Sequence, residues 1–192
     1  MGMDAEDRAL VDAFKHGEDS AFTALVIKYR EAVYRIARRM VHSPEDASDV
    51  AQEVFIRVHR ALPRFAGRSS LRTWLFRITV NLCLDYSTRR RDVTGLEVLA
   101  WEPSPHDNPV DLAERRELEV AVARAIEMLP PRQRAMVVLR VYQDLPYAQI
   151  ARIMGCAEGT VKATMFAAMG NLRQVLAPFA GSIHGGDEGE TR

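Results

Sequence analysis

Apolar residues recur along most of this chain at the three-to-four-residue spacing of helices, and no segment sustains the two-residue alternation of a strand. Beyond Asp19 or Ser20, either of which can cap a helix, Phe22, Leu25, Val26, Tyr29, Val33, Ile36, Ala37 and Met40 fall on one stripe. Ser43-Pro44-Glu45-Asp46 reads as a helix start: a capping serine, a proline at the first helical position and two carboxylates facing the positive end of the helix dipole. The helix that follows buries Ala47, Val50, Val54, Val58 and Ala61 and stops at Leu62-Pro63. A loop from Arg64 to Ser70 then leads into a helix from Leu71 to about Arg90, with Leu71, Leu75, Ile78, Leu82 and Tyr86 on its apolar side.

Periodicity lapses between Val93 and Asp111, where Gly95, Pro103, Pro105 and Pro109 mark a linker that also carries Trp101, a ring able to dock. Helical spacing returns from Leu112 to Leu129 and from Arg132 to Tyr142, bounded by Pro130-Pro131 and Asp144-Leu145-Pro146. Tyr147 to Met154, the corner Gly155-Cys156-Ala157, and Glu158 to Leu172 form a helix-turn-helix pattern. Ile150, Ala151, Ile153 and Met154 point inward on its first helix, and Val161, Met165, Ala168 and Leu172 on its second. A glycine at the corner tolerates the left-handed backbone that ends a helix. An ordinary helical hairpin shares this pattern. The expected fold is all-α: two small helical domains, 1–92 and 112–180, joined by a flexible linker, 93–111, and followed by a disordered tail, 181–192.

Charge separates the two readings of the hairpin. The chain is neutral overall, with 26 basic and 26 acidic residues. Nine arginines nevertheless lie between Val54 and Asp92, against only Asp85 and Asp92, while Val93 to Glu117 is acidic. A basic module suits a polyanion, which favours DNA as the partner of the helix-turn-helix. Enzyme chemistry finds no foothold: the five histidines are scattered and Gly67 is a lone loop glycine, so no catalytic or metal site and no cofactor is expected. Cys83 and Cys156 lie far apart with no ligand spacing around them, which fits two buried thiols in a reducing cytosol. No apolar run approaches the roughly 18 residues that span a bilayer, and Met1 to Arg8 lacks a signal-peptide core. The expectation is a soluble, cytoplasmic chain without membrane insertion.

Three stretches carry a resemblance. Asp49-Val-Ala-Gln-Glu-Val-Phe-Ile-Arg-Val-His-Arg-Ala-Leu62 resembles the polymerase-binding helix of bacterial sigma-70 family factors of the extracytoplasmic-function (ECF) type. Phe65 to Arg91, with Thr73-Trp74-Leu75-Phe76-Arg77-Ile78 and Asn81, resembles their promoter-melting segment. Leu129-Pro-Pro-Arg-Gln-Arg134, with Tyr147-Ala-Gln-Ile-Ala151 and Gly159-Thr-Val-Lys162, resembles their C-terminal promoter-binding domain.

The residues support each assignment. Asp49, Gln52, Glu53 and Ile56 sit off the apolar stripe of the Ser43-capped helix, and a mixed acidic and apolar face suits a helix-on-helix protein contact. The resemblance makes that partner core RNA polymerase. In the basic module, Arg68, Arg72, Arg77, Arg89, Arg90 and Arg91 can neutralise phosphates, while Phe65, Trp74, Phe76 and Tyr86 offer stacking surfaces to melted bases. Trp74 and Phe76 are adjacent and cannot both face the core. The resemblance implies that the Phe65 to Ser70 loop, Ser69 included, captures a flipped base of the minus-ten element, with Asn81 and Asp85 on the helix beside it. Asn81 can equally bond backbone or water.

In the C-terminal domain Arg132, Arg134 and Arg140 are candidate backbone contacts, Arg140 being equally a solvated helix residue. Glu158, Thr160, Lys162, Ala163 and Phe166 are candidate readers of the minus-35 element that the resemblance implies. Thr160 or Ala163 can meet a thymine methyl, and Glu158 can accept from a cytosine amino group. The chain departs from the family here, since Lys162 is the only basic residue from Glu158 to Asn171. The resemblance further implies an anti-sigma factor as a partner. Two other readings stay open: a stand-alone helix-turn-helix regulator, and a sigma-like adaptor that binds polymerase but DNA only weakly.

Overall fold

A computed structural model describes residues 3–41, 43–89 and 120–177. The expected linker 93–111, with Trp101, and the tail 181–192 lie outside the described residues. Every regular element among those residues is helical.

The first helix is one that the apolar pattern did not disclose. Helix α1 (Ala5–Lys15) is fixed as much by charge as by packing. Asp7, only 2% exposed, accepts hydrogen bonds from the Tyr29 hydroxyl at 2.7 Å and from Lys28 Nζ at 2.8 Å. Lys28 also reaches Glu6 at 2.6 Å and Asp4 at 3.2 Å. Partial burial works against the Lys28 ammonium, but the three carboxylates outweigh it and hold its pKa above the ordinary lysine value. Burial and the Asp7 carboxylate together hold the Tyr29 phenol above its usual range. Val11 is the one apolar side chain of α1 that is fully buried, so a search for a stripe finds little here.

Helix α2 (Asp19–Met40) has its cap position at Glu18, one residue before Asp19 and two before Ser20, and no side chain caps it. Its predicted stripe is otherwise buried or half-buried. Helix α3 (Pro44–Ala61) begins as expected: Ser43 Oγ accepts from the Asp46 amide at 3.0 Å, and Pro44 follows at the first helical position. A 3₁₀ turn (Leu62–Arg64) and a loop lead to α4 (Leu71–Arg89), whose entry Ser70 caps by accepting from the Thr73 amide at 3.2 Å.

Helix α4 buries far more than a single stripe: Leu71, Thr73, Leu75, Phe76, Thr79, Val80, Leu82 and Cys83 are all buried. Of the adjacent aromatics, Phe76 is in the core and Trp74 is half-buried. The reason is that α4 packs on both sides. Helices α2 and α3 cover one, while the C-terminal half covers another.

That half comprises α5 (residues 120–127), α6 (Pro131–Val141), α7 (Tyr147–Met154) and α8 (Glu158–Leu176). The helix-turn-helix agrees with the pattern residue for residue. Gly155 turns the corner in the left-handed region at φ +65°, and all eight predicted inward residues are buried.

The two halves are packed together. Helix α6 lies on α2, and α7 lies on α4. Arg134, expected to reach DNA, is instead 7% exposed and sits inside this seam. It donates to the carbonyls of Met40 at 3.2 Å, Leu129 at 3.4 Å and Glu127, bringing one guanidinium to the carboxyl ends of α2 and α5 together. Burial holds its pKa below the ordinary arginine value. Arg39 covers the Tyr142 ring at 4.4 Å, and Arg72 donates to the Gln143 carbonyl at 3.3 Å.

Candidate nucleic-acid interface

The loop between the 3₁₀ turn and α4 forms a cavity of about 810 Å³ lined by Arg64, Phe65, Ala66, Arg68, Ser69, Thr73, Trp74, Arg77 and, from α7, Arg152. Phe65 and Trp74 lie with ring centroids 4.9 Å apart, tilted by 40°. None of Arg64, Arg68, Arg77 or Arg152 pairs with a carboxylate among the described residues. Four guanidiniums beside an aromatic wall make a site chemically suited to a phosphate-bearing strand with an unstacked base.

Of the predicted minus-ten residues, the structure therefore brings together Phe65, Arg68, Ser69, Trp74 and Arg77. It sets others apart. Arg72 turns away, onto the Gln143 carbonyl and over the Phe76 ring at 5.2 Å. Asn81 is exposed farther along α4. Asp85 does not join the cavity; it lines a separate groove of about 250 Å³ with Asp49, Glu53, Arg57 and Tyr86. Arg90, Arg91 and the Arg89 side chain lie outside the described residues. Arg64 and Arg152 were not singled out in the sequence. Arg64 could have been, as one more arginine of the basic loop. Arg152 could not, because only the packing of α7 on α4 carries it there.

Helix α3 presents its predicted face to two grooves. Asp49 and Glu53 border the one shared with Asp85, where Glu53 pairs with Arg57 at 2.8 Å. Gln52 and Ile56 border a more apolar one of about 560 Å³ with Phe22, Val26, Phe55, His59 and Arg60. Ile56 is 37% exposed, which for a large apolar side chain on this face marks a surface that a partner could cover. The Tyr86 hydroxyl bonds to Asp46, tying α4 to the start of α3 beneath the acidic groove.

On α8, Glu158, Thr160, Lys162, Ala163 and Phe166 are all exposed, and Phe166 is 82% exposed. Lys162 and Glu158 form an ion pair at 3.0 Å one helical turn apart, so the sole basic group of this face is partly matched within the helix. Arg132 is exposed at the start of α6, whereas Arg134 is the buried seam residue. Arg140 closes the turn after α6 through Asp144 at 2.9 Å and does not stand free.

Comparison with known proteins shows the family. Residues 25–93 match the family described as Sigma-70 region 2, and residues 119–172 match Sigma-70, region 4. The chain is 38% identical over 178 residues to the ECF RNA polymerase sigma-E factor of Escherichia coli (strain K12), covering 88% of this chain and 93% of that protein. It is 34% identical over 183 residues to the RNA polymerase sigma-H factor of Pseudomonas aeruginosa, covering 90% of this chain and 95% of that one. Among solved structures, CnrH in complex with the cytosolic domain of CnrY aligns with a TM-score of 0.69 at 26% identity, over 90% of this chain and 98% of that one. The chain belongs to the sigma-70 family, as a sigma factor of the extracytoplasmic-function type.

Proposed function

We infer that this cytoplasmic protein binds core RNA polymerase and directs it to promoters by contacting two elements. The observation that carries the reading is the pairing of an arginine-lined aromatic cavity on α4 with a helix-turn-helix, in a chain of the sigma-70 family. Residues 1–92 hold the polymerase-binding and minus-ten functions, 93–111 act as a tether, and 112–180 read the minus-35 element. Asp49, Gln52, Glu53 and Ile56 meet polymerase. Phe65, Arg68, Ser69, Trp74 and Arg77 engage the melted minus-ten strand. Glu158, Thr160, Lys162, Ala163 and Phe166 face the minus-35 element. Arg134 leaves the DNA-contacting set, because its guanidinium is committed to three carbonyls.

The partner of CnrH in the solved complex is a cytosolic domain of another protein. We carry to this chain the expectation of a protein that binds it and restrains it, an anti-sigma factor. Run-off transcription with purified chain and core polymerase tests the main reading. Promoter-dependent transcript supports it. Specific DNA binding without polymerase would favour a stand-alone regulator, and core binding without transcript an adaptor. Asp49→Arg with Glu53→Arg should abolish co-purification with core while leaving helix content unchanged.

A further inference from the structure

The cavity loop is anchored at one end by a helix outside both family matches. Lys15, in the last turn of α1, extends its ammonium to the Phe65 carbonyl at 2.7 Å, across 50 residues of sequence. Phe65 is the hinge of the loop: its amide bonds to the Leu62 carbonyl at 3.0 Å, closing the 3₁₀ turn, and its ring packs under Trp74. The far end of the loop is fixed by Ser70 at the start of α4, through the Thr73 amide and the Trp74 amide. Between these anchors, residues 66–69 make no backbone–backbone hydrogen bond among the described residues, and Gly67 adopts φ +67°. The loop is therefore held at its ends and free in the middle. At its Phe65 end the amide and ring are held by Leu62 and Trp74, while the carbonyl, which no helix satisfies, is held by the charge-assisted hydrogen bond from Lys15.

We propose that Lys15 is a positioning residue for promoter melting: by fixing the Phe65 carbonyl it sets the tilt of Phe65 against Trp74, and with it the shape of the cavity that receives an unstacked base. This rests on the reading of the cavity as the minus-ten site. Helix α1 is itself secured by the Asp4, Glu6 and Asp7 clasp on Lys28 and by the Phe14, Phe22 and His59 ring cluster. Removing the Lys15 ammonium leaves those attachments in place, so the effect falls on the loop and not on the fold.

The experiment compares holoenzymes carrying wild-type, Lys15→Ala and Lys15→Arg chains on a duplex promoter and on the same promoter with single-base changes across the minus-ten element. Open complexes are followed by 2-aminopurine fluorescence. Lys15→Ala should bind core polymerase with wild-type affinity, form open complexes roughly fivefold more slowly, and lose preference between minus-ten bases. Lys15→Arg, whose guanidinium can also donate to the carbonyl, should restore base preference. Unchanged base preference in Lys15→Ala would overturn the proposal, as would a loss that tracks weakened core binding or is not rescued by arginine. A wild-type holoenzyme indifferent to every minus-ten base would refute the cavity reading itself, and the positioning role with it.

Discussion

The Arg134 guanidinium donates to the Met40 carbonyl across 94 residues of sequence, with a nitrogen–oxygen distance of 3.2 Å, and joins the end of α2 to the start of α6. A buried arginine that completes the hydrogen bonds of helix-terminal carbonyls is costly to remove, since those carbonyls are then left without water or donor. Arg134→Met keeps the bulk and removes the donors. It should lower unfolding free energy by about 2 kcal/mol in urea titrations. It should also loosen the seam. A wild-type chain nicked by protease within 93–111 should still elute as one species in gel filtration, whereas the nicked Arg134→Met chain should separate. Co-elution of the nicked variant would show that the apolar contacts of α6 and α7 suffice alone.

On the proposed reading, charge sets the balance between the cavity on α4 and the exposed face of α8 as DNA contacts. Arg68 and Arg77 have no carboxylate partner among the described residues, while Lys162 is paired with Glu158. Arg68→Ala with Arg77→Ala should make the salt dependence of holoenzyme binding shallower by about two in slope, roughly one per lost phosphate contact. Lys162→Ala should cost about 1 kcal/mol or less, because a solvated pair within one helix holds the ammonium only loosely. Transcription silenced by Lys162→Ala but preserved in the double arginine variant at raised salt would reverse this order.

Gly155 carries the helix-turn-helix corner at φ +65°, and the nearest atom to a side-chain carbon placed there would be Arg77 Nη2, at 3.8 Å. Substitution is thus opposed by backbone strain and not by crowding. Gly155→Ala should destabilise the chain by about 1–2 kcal/mol, read as a lower urea midpoint at unchanged slope. A neutral result would mean that the corner relaxes away from the left-handed region.

Cys83 lies in the core of α4, and burial pushes its thiol up to about 12, whereas Cys156 is half-buried at the corner. Since the neutral thiol is favoured on folding, the thiolate required for alkylation is scarce at ordinary pH. Maleimide at pH 8 should modify Cys156 first and Cys83 only after unfolding. The same shift makes the chain less stable as pH climbs above about 8.5, where an unfolded thiol ionises and the folded one does not. Prompt double labelling of the native chain would contradict this.

What the sequence disclosed and what it withheld divide along physical lines. The helix-turn-helix was legible because every determinant is local: Gly155 for the corner, and eight apolar residues at helical spacing. The Ser43 start was legible for the same reason. Helix α1 was not, since its main attachments are Asp7 to Tyr29 and Lys28, polar contacts that no hydrophobic stripe reports. Arg134, a basic residue near the helix-turn-helix, and Asp85, placed by the resemblance, are both expected at DNA, yet one is enclosed by carbonyls and the other faces the acidic groove of α3. Both outcomes depend on which helices meet across the chain. Arg152 is the complementary case, an unremarked residue that the docking of α7 brings to the cavity wall.

The docking of α7 against α4 also has a bearing on recognition energetics. Elements centred near minus-ten and minus-35 lie about 25 base pairs apart, or about 85 Å along B-form DNA at 3.4 Å per step, while a folded chain of this length has a radius of gyration of only about 16 Å. On the proposed two-element reading, both cannot be occupied while α7 remains on α4. The docked and parted forms are then two members of one conformational equilibrium, and any ligand that requires the parted form binds with an apparent affinity reduced by that form's population. Linkage makes the effect reciprocal: a partner that prefers the docked form weakens promoter engagement by the same factor by which promoter engagement expels it.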